Sequence, residues 1–109
     1  MNFLIPHLLI GPVLLLLAAL YKTFPPRKIN NFYGYRTARS MGSMEAWNEA
    51  NHYSARLMLQ LALLLMVVQL ATYWTVGAET SLMLSSGFLV LGLGVVIYLT
   101  ERHLKQMGY

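Results

Sequence analysis

Three apolar runs, Phe3 to Leu20, Leu57 to Val76 and Leu82 to Leu99, decide what this chain can fold into. At about 1.5 Å per helical residue, each is long enough to cross a hydrocarbon layer of roughly 30 Å. A bilayer interior holds no water to satisfy backbone N–H and C=O groups, so the runs must be helical, and three segments cannot close a barrel. Composition agrees, since 57% of the 109 residues are hydrophobic and only 11% are charged, against about 25% charged in soluble domains. The expectation is an all-α integral membrane protein with three transmembrane helices in a single domain over 1–109. The helices fall over about 3–21, 44–76 and 81–103, with a polar loop over 22–43.

No Lys or Arg precedes the first run and no small-x-small cleavage site follows Leu14-Leu15-Leu16-Leu17, so this run is expected to stay as an anchor. Pro6 and Gly11-Pro12 lie inside it. Proline removes a donor and kinks a spanning helix, which predicts a bent first helix.

Charge placement sets the expected orientation. Lys22, Arg27, Lys28, Arg36, Arg39 and Arg56 flank the first connection, Arg102 and Lys105 follow the third run, and these are all the basic residues of the chain. The connection Gly77 to Ser81 carries only Glu79. Basic loops stay on the cytoplasmic side during insertion, so the N-terminus is expected outside and both the loop and the C-terminus in the cytoplasm. Tyr21, Phe24, Tyr53 and Tyr98 then read as the inner aromatic belt, and Phe3, Tyr73 and Trp74 as the outer one.

The polar loop is the long hydrophilic stretch of the chain, and any function beyond residence in a membrane is expected there. Phe24-Pro25-Pro26-Arg27-Lys28 ends the first helix, and Asn30-Asn31-Phe32-Tyr33-Gly34 is turn-rich, with a glycine able to take positive φ. Ser43 can cap a new helix, Glu45 suits its first turn, and no breaker interrupts Met44 to Tyr53, so one long helix enters the membrane. On it Trp47, Asn51, Ser54 and Met58 share a face. Arg36 and Thr37 are their natural counterparts, with the Arg36 guanidinium stacked on Trp47 and the Asn30 and Asn51 amides holding the loop backbone. The cluster either folds the loop against the membrane surface or binds a ligand, and Arg36 would grip a phosphate or carboxylate bidentately.

Asn31-Phe32-Tyr33-Gly34-Tyr35-Arg36-Thr37, then Ser40, Trp47 and Asn51, resemble the signature of the SdpI immunity-protein family. The pattern is an asparagine before Gly-x-Arg-Thr, a Thr or Ser shortly after, then a Trp and an Asn opening the next membrane helix. The chain departs from it at Arg39, where an apolar or aromatic residue is expected, and it reads as a short, single-domain member. The resemblance implies a multi-pass protein of the bacterial inner membrane that protects a producer cell from a secreted, membrane-active peptide toxin. It also implies that such a protein can hold a cytoplasmic transcriptional repressor at the membrane, giving it a part in signal transduction. Carried onto this sequence, the implied binding positions are Asn31, Gly34, Arg36, Thr37, Trp47 and Asn51, joined by Asn30 from the reading of the loop itself.

Inside the spans, His7, Gln60, Gln69, Thr72, Ser85 and Ser86 are polar and should face other helices or a cavity. Nine residues apart, Gln60 and Gln69 point to roughly opposite faces and cannot belong to one polar stripe. Interhelical hydrogen bonds, chiefly by His7, Gln69 and Thr72, are the expected role. Gly87, Gly92 and Gly94 would let another backbone approach, and a bundle this thin suggests a homo-oligomer.

Enzyme chemistry is not expected. Glu45, Glu49, Glu79 and Glu101 lie at or beyond the membrane boundaries without an acid–base pairing, and His7, His52 and His103 are scattered. With cysteine absent there is no disulfide or thiolate site, and neither metal nor cofactor is expected. Direct nucleic-acid binding is not expected either. A small transporter or channel and a membrane adaptor for a soluble regulator stand as alternatives, the former weakened by the lack of a mid-membrane ionisable residue.

Overall fold

The computed structural model describes residues 4–109 and is all-helical. Phe3, assigned above to the first helix and the outer belt, lies outside the described residues. The elements are α1 (Leu4–Ile10), α2 (Pro12–Thr23), a single 3-10 turn (Ser40–Gly42), α3 (Met44–Val76) and α4 (Ala78–Gln106). Three helical stretches, Ile5–Thr23, Met44–Val76 and Ala78–Gln106, are long and apolar enough to cross a membrane.

The first span is bent as expected, and the bend falls at Gly11. Pro12 has no N–H to donate, so the ladder breaks there while Gly11 N–H still reaches the His7 carbonyl at 2.9 Å and Leu15 N–H reaches Gly11 at 2.9 Å. Gln69 of α3 enters the break, its Nε2 donating to the His7 carbonyl at 3.1 Å. A Cβ on Gly11 would overlap the Gln69 amide, so this glycine makes room for the side chain that gives the His7 carbonyl a second donor beside the bend.

α3 is the spine. Ser43 caps it, its hydroxyl accepting from Ala46 N–H at 3.0 Å, with Glu45 in the first turn. It runs unbroken to Gly77, whose φ of 91° both ends α3 and turns the chain directly into α4. The connection is therefore tighter than the Gly77 to Ser81 loop read from sequence. Ala78, Glu79 and Thr80 are helical, because a glycine at positive φ makes the turn alone and Glu79 favours a helix N-terminus. α4 also runs past residue 103, to Gln106.

Packing between helices uses small residues. Ala46, Ala50, Ala55 and Ala62 of α3 are buried, and Leu61 fills the space left by Gly92 of α4. Gly87 and Gly94 face open space instead. α1 packs on α4 while α2 packs on α3, so past the Gly11 bend the first span leaves α4 and opens a groove between them. Most large apolar side chains, such as Leu64, Val67 and Leu91, face outward, as a lipid-immersed bundle requires.

Candidate functional site

At the loop-bearing end, buried side chains of α3 hold a segment with almost no regular structure of its own. Asn51, fully buried, does most of this. Its Oδ1 accepts from Tyr35 N–H at 2.7 Å and from the Tyr21 hydroxyl at 2.6 Å, while its Nδ2 donates to the Trp47 carbonyl at 2.8 Å. The Tyr21 and Ser54 hydroxyls lie 2.9 Å apart, tying α2 to the same spot. One turn earlier, the fully buried Trp47 donates from Nε1 to the Pro26 carbonyl at 2.9 Å.

Gly34 is what lets the loop come so close. Its φ is 110°, and a Cβ there would lie 2.6 Å from both Asn51 Oδ1 and Pro26 Cγ and 3.3 Å from Trp47 Cη2. Asn30 shapes the chain just before it, with Oδ1 accepting from Phe32 and Tyr33 N–H at 2.9 and 2.7 Å and Nδ2 donating to Lys28 at 2.9 Å. Thr37 and Ser40 brace each other beyond it. Thr37 N–H donates to Ser40 Oγ at 2.8 Å, and Ser40 N–H to Thr37 Oγ1 at 3.1 Å.

Of the residues predicted from sequence, Asn30, Gly34, Thr37, Trp47 and Asn51 thus share one network. Arg36 and Asn31 do not join it. The expected stacking of Arg36 on Trp47 is absent, because the indole ring is covered by Gly34 and its N–H faces Pro26. Arg36 and Asn31 are exposed, and among the described residues their side chains have no hydrogen-bond or ion-pair partner. Phe32 projects beside them at 96% exposure. Arg39, read from sequence as a topology charge and as a departure from the family pattern, is the loop arginine that is engaged. Its Nε lies 3.5 Å from Glu101 Oε2 and its Nη1 donates to the Tyr109 carbonyl at 2.6 Å. Burial, and next the Glu101 carboxylate, push the Tyr35 phenol well above its ordinary value.

Sequence reasoning passed over Tyr21 and Pro26. Tyr21 looks like a belt aromatic, yet its hydroxyl turns inward to Asn51 and Ser54. The available signal was a Tyr two residues from the end of α2, opposite two polar residues. Tyr53 also leaves the belt, its ring stacking on His103 at 4.0 Å. Below the loop, the groove between α2 and α4 encloses about 590 Å³, with Leu14, Leu17 and Ile97 as walls and Tyr33 and Tyr35 toward the loop.

At the hairpin end His7, Gln69 and Thr72 do meet, through a residue not singled out from sequence. Ser81 Oγ lies 3.1 Å from His7 Nε2 and 2.7 Å from Thr72 Oγ1. Gln60 departs from expectation, being exposed on the outer surface of α3, whereas Gln69 is buried.

The loop and the two helices after it are also where the chain matches known proteins. A sequence model described as the SdpI/YfhL protein family matches residues 27–100. The chain belongs to the SdpI/YfhL family. It is 40% identical over 106 residues to a Bacillus subtilis (strain 168) protein described as uncharacterized protein YfhL, covering 91% of this chain and 86% of that protein. No solved structure matches. The SdpI resemblance read from Asn31 to Asn51 is therefore correct, and the three apolar helices make this member of the family a multi-pass membrane protein.

Proposed function

We propose that this SdpI/YfhL-family protein is an immunity protein of the bacterial inner membrane, protecting against a secreted membrane-active peptide, with the loop as its recognition surface. The orientation in this reading places the N-terminus outside and the loop and C-terminus in the cytoplasm, following the basic residues at the loop-bearing end. One observation carries it. Buried Asn51 and Trp47 lock the loop backbone from below, while Phe32 and Arg36 stand uncommitted on its outer face. A loop that only needed to pack would have no use for a rigidly presented aromatic and guanidinium, which are the side chains that dominate binding surfaces.

The test is a killing assay with and without expression. Phe32→Ala and Arg36→Lys, whose side chains lie outside the network, should each weaken protection by about fivefold or more, the loss of more than about 1 kcal/mol typical of a contact residue. Full protection by both variants at wild-type abundance refutes recognition through the loop.

A second reading has its own support. In the proposed orientation a secreted peptide meets this loop only after entering the bilayer, whereas a soluble cytoplasmic regulator meets it directly. An adaptor that holds a repressor at the membrane would be captured in pull-downs that fail with Phe32→Ala. Transport is less well supported, since the buried layer of Leu61, Ala62 and Leu65 separating the two polar ends of α3 is apolar. No catalytic step is part of the proposal.

A further inference from the structure

Where α2 ends against α3, a second pocket of about 410 Å³ is lined by Lys22, Glu49, Asn51, His52 and Arg56 and shares only Asn51 with the loop network. Its acidic side chain is already engaged. Glu49 Oε1 lies 2.6 Å from His103 Nε2, and His103 stacks on Tyr53, whose ring carries the Arg56 guanidinium at 5.6 Å. His52 Nδ1 is satisfied by the Asn48 carbonyl at 2.7 Å. Lys22 has no hydrogen-bond or ion-pair partner among the described residues, and Arg56 has only the Tyr53 ring. Two cations without an ion-pair partner among the described residues therefore line one cleft.

The depth of that cleft is fixed by α3. Arg56 lies 20 residues before the last residue of the helix, Val76, which at about 1.5 Å per residue is roughly 30 Å, the thickness of the hydrocarbon core. With the hairpin end at one interface, Arg56 sits at the other, at headgroup level.

A second, independent observation lies one turn deeper. Gln60, on the same face as Arg56, is exposed and makes no hydrogen bond among the described residues. An amide facing pure hydrocarbon is costly, but about 6 Å below a phosphate it stands level with glycerol ester carbonyls. The face then continues through Leu63 and Val67, which are 51% and 62% exposed. Cation, amide and aliphatic surface follow one another in the order of phosphate, ester and acyl chain.

We propose that Lys22, Arg56 and Gln60 form a binding site for one anionic phospholipid of the leaflet on the loop-bearing side. The phosphate sits between Lys22 and Arg56, Gln60 donates to an ester carbonyl, and the chains lie along Leu63 and Val67. An anionic headgroup is selected because the ammonium of a zwitterionic lipid would meet the two cations. This site stands whether or not the immunity reading does.

The experiment is lipid retention by the purified full chain, delipidated in detergent, exposed to mixed phosphatidylglycerol and phosphatidylcholine vesicles, and read by mass spectrometry. The wild type should keep phosphatidylglycerol preferentially, and Lys22→Gln and Arg56→Gln should each reduce its retention by about fivefold. Gln60→Leu should lower retention of both lipids. The Arg27→Gln/Lys28→Gln control, outside the pocket and one charge further reduced than either single variant, should leave retention unchanged, and millimolar inorganic phosphate should not displace the lipid. Equal loss in the control pair would reduce the effect to diffuse surface charge, and displacement by free phosphate would make the site one for soluble anions. Either result overturns the proposal, as does retention insensitive to Lys22 and Arg56. Should the Arg56 variant not survive extraction, Lys22→Gln at the exposed end of α2 gives the same reading.

Discussion

At the hairpin end, polar side chains on α1, α3 and α4 bond largely to one another: His7 to Ser81, Ser81 to Thr72, with Gln69 reaching back to a kink carbonyl. At the loop end the traffic runs from side chain to main chain. Asn51, Trp47 and Asn30 spend their donors and acceptors on the backbone of Pro26, Lys28, Phe32, Tyr33 and Tyr35. The first arrangement joins helices that would form anyway, because lipid enforces their internal hydrogen bonds. The second gives conformation to a segment that would otherwise have none. Loss of a member should be graded at the hairpin end and severe at the loop end.

The sharpest way to break this contrast is Gly34→Ala. Positive φ alone costs about 1–3 kcal/mol for a residue with a side chain, and the new methyl must also displace Asn51 or Pro26. Thermal unfolding in detergent should fall more than for any hairpin-end substitution, and trypsin should cut at Arg36 far faster. A variant as stable and as protease-resistant as the parent would mean that the loop does not depend on this close approach.

Next in size is Asn51→Ala. It strands the Tyr35 N–H, at about 1–3 kcal/mol for a buried group left unpaired, and leaves the Tyr21 hydroxyl with Ser54 alone. Asn51→Asp keeps an acceptor for both contacts but, when ionised, buries a charge and sets its second oxygen against the Trp47 carbonyl, so it should recover stability only at low pH, where the protonated carboxyl donates there in place of the amide. Damage at low pH equal to that of Asn51→Ala would locate the role of Asn51 outside its contacts to Tyr35 and Tyr21.

How far these clusters were legible in the sequence follows from the same difference. Trp47, Asn51 and Ser54 recur at helical spacing on an uninterrupted helix, so a shared face could be read directly, and Gly34 within a turn-rich run announced its φ. Backbone acceptors carry no sequence signature, and this is why Pro26 escaped notice and why Arg36, chemically the more conspicuous residue, was wrongly paired with Trp47. Ser81 was hidden for another reason. Ala78, Glu79 and Thr80 look like loop by hydropathy, yet Gly77 turns the chain alone, which puts Ser81 inside α4 and opposite Thr72. Gln60 and Gln69 are the same residue type on one helix, and only the packing of α1 and α4 decides that one is buried and the other exposed.

Gln69→Leu tests the milder side of the comparison. Hydrogen bonds between membrane helices average about 0.6 kcal/mol, so melting should shift by a few degrees at most, with protease resistance of the loop intact. A loss as large as that of Asn51→Ala would show that the Gly11 kink depends on Gln69, and the two ends would then differ in location rather than in kind.

The smallest effect concerns pH and separates the ends by their chemistry. With its titration pushed upward from the ordinary phenol value of 10.0, Tyr35 favours folding in its neutral form. The contribution is complete below pH about 10 and is lost as the pH climbs from there toward the raised folded value, because the unfolded chain ionises first. Tyr35→Phe removes this ionisation along with a long, weak bond to the Ile97 carbonyl at 3.3 Å, so stability near neutrality should change little. Melting temperatures measured between pH about 9 and about 11 should therefore fall less steeply for the variant than for the parent. Parallel slopes would mean that the phenol is not held neutral by its burial against Glu101, and that the loop is packed more loosely over α4 than over α3.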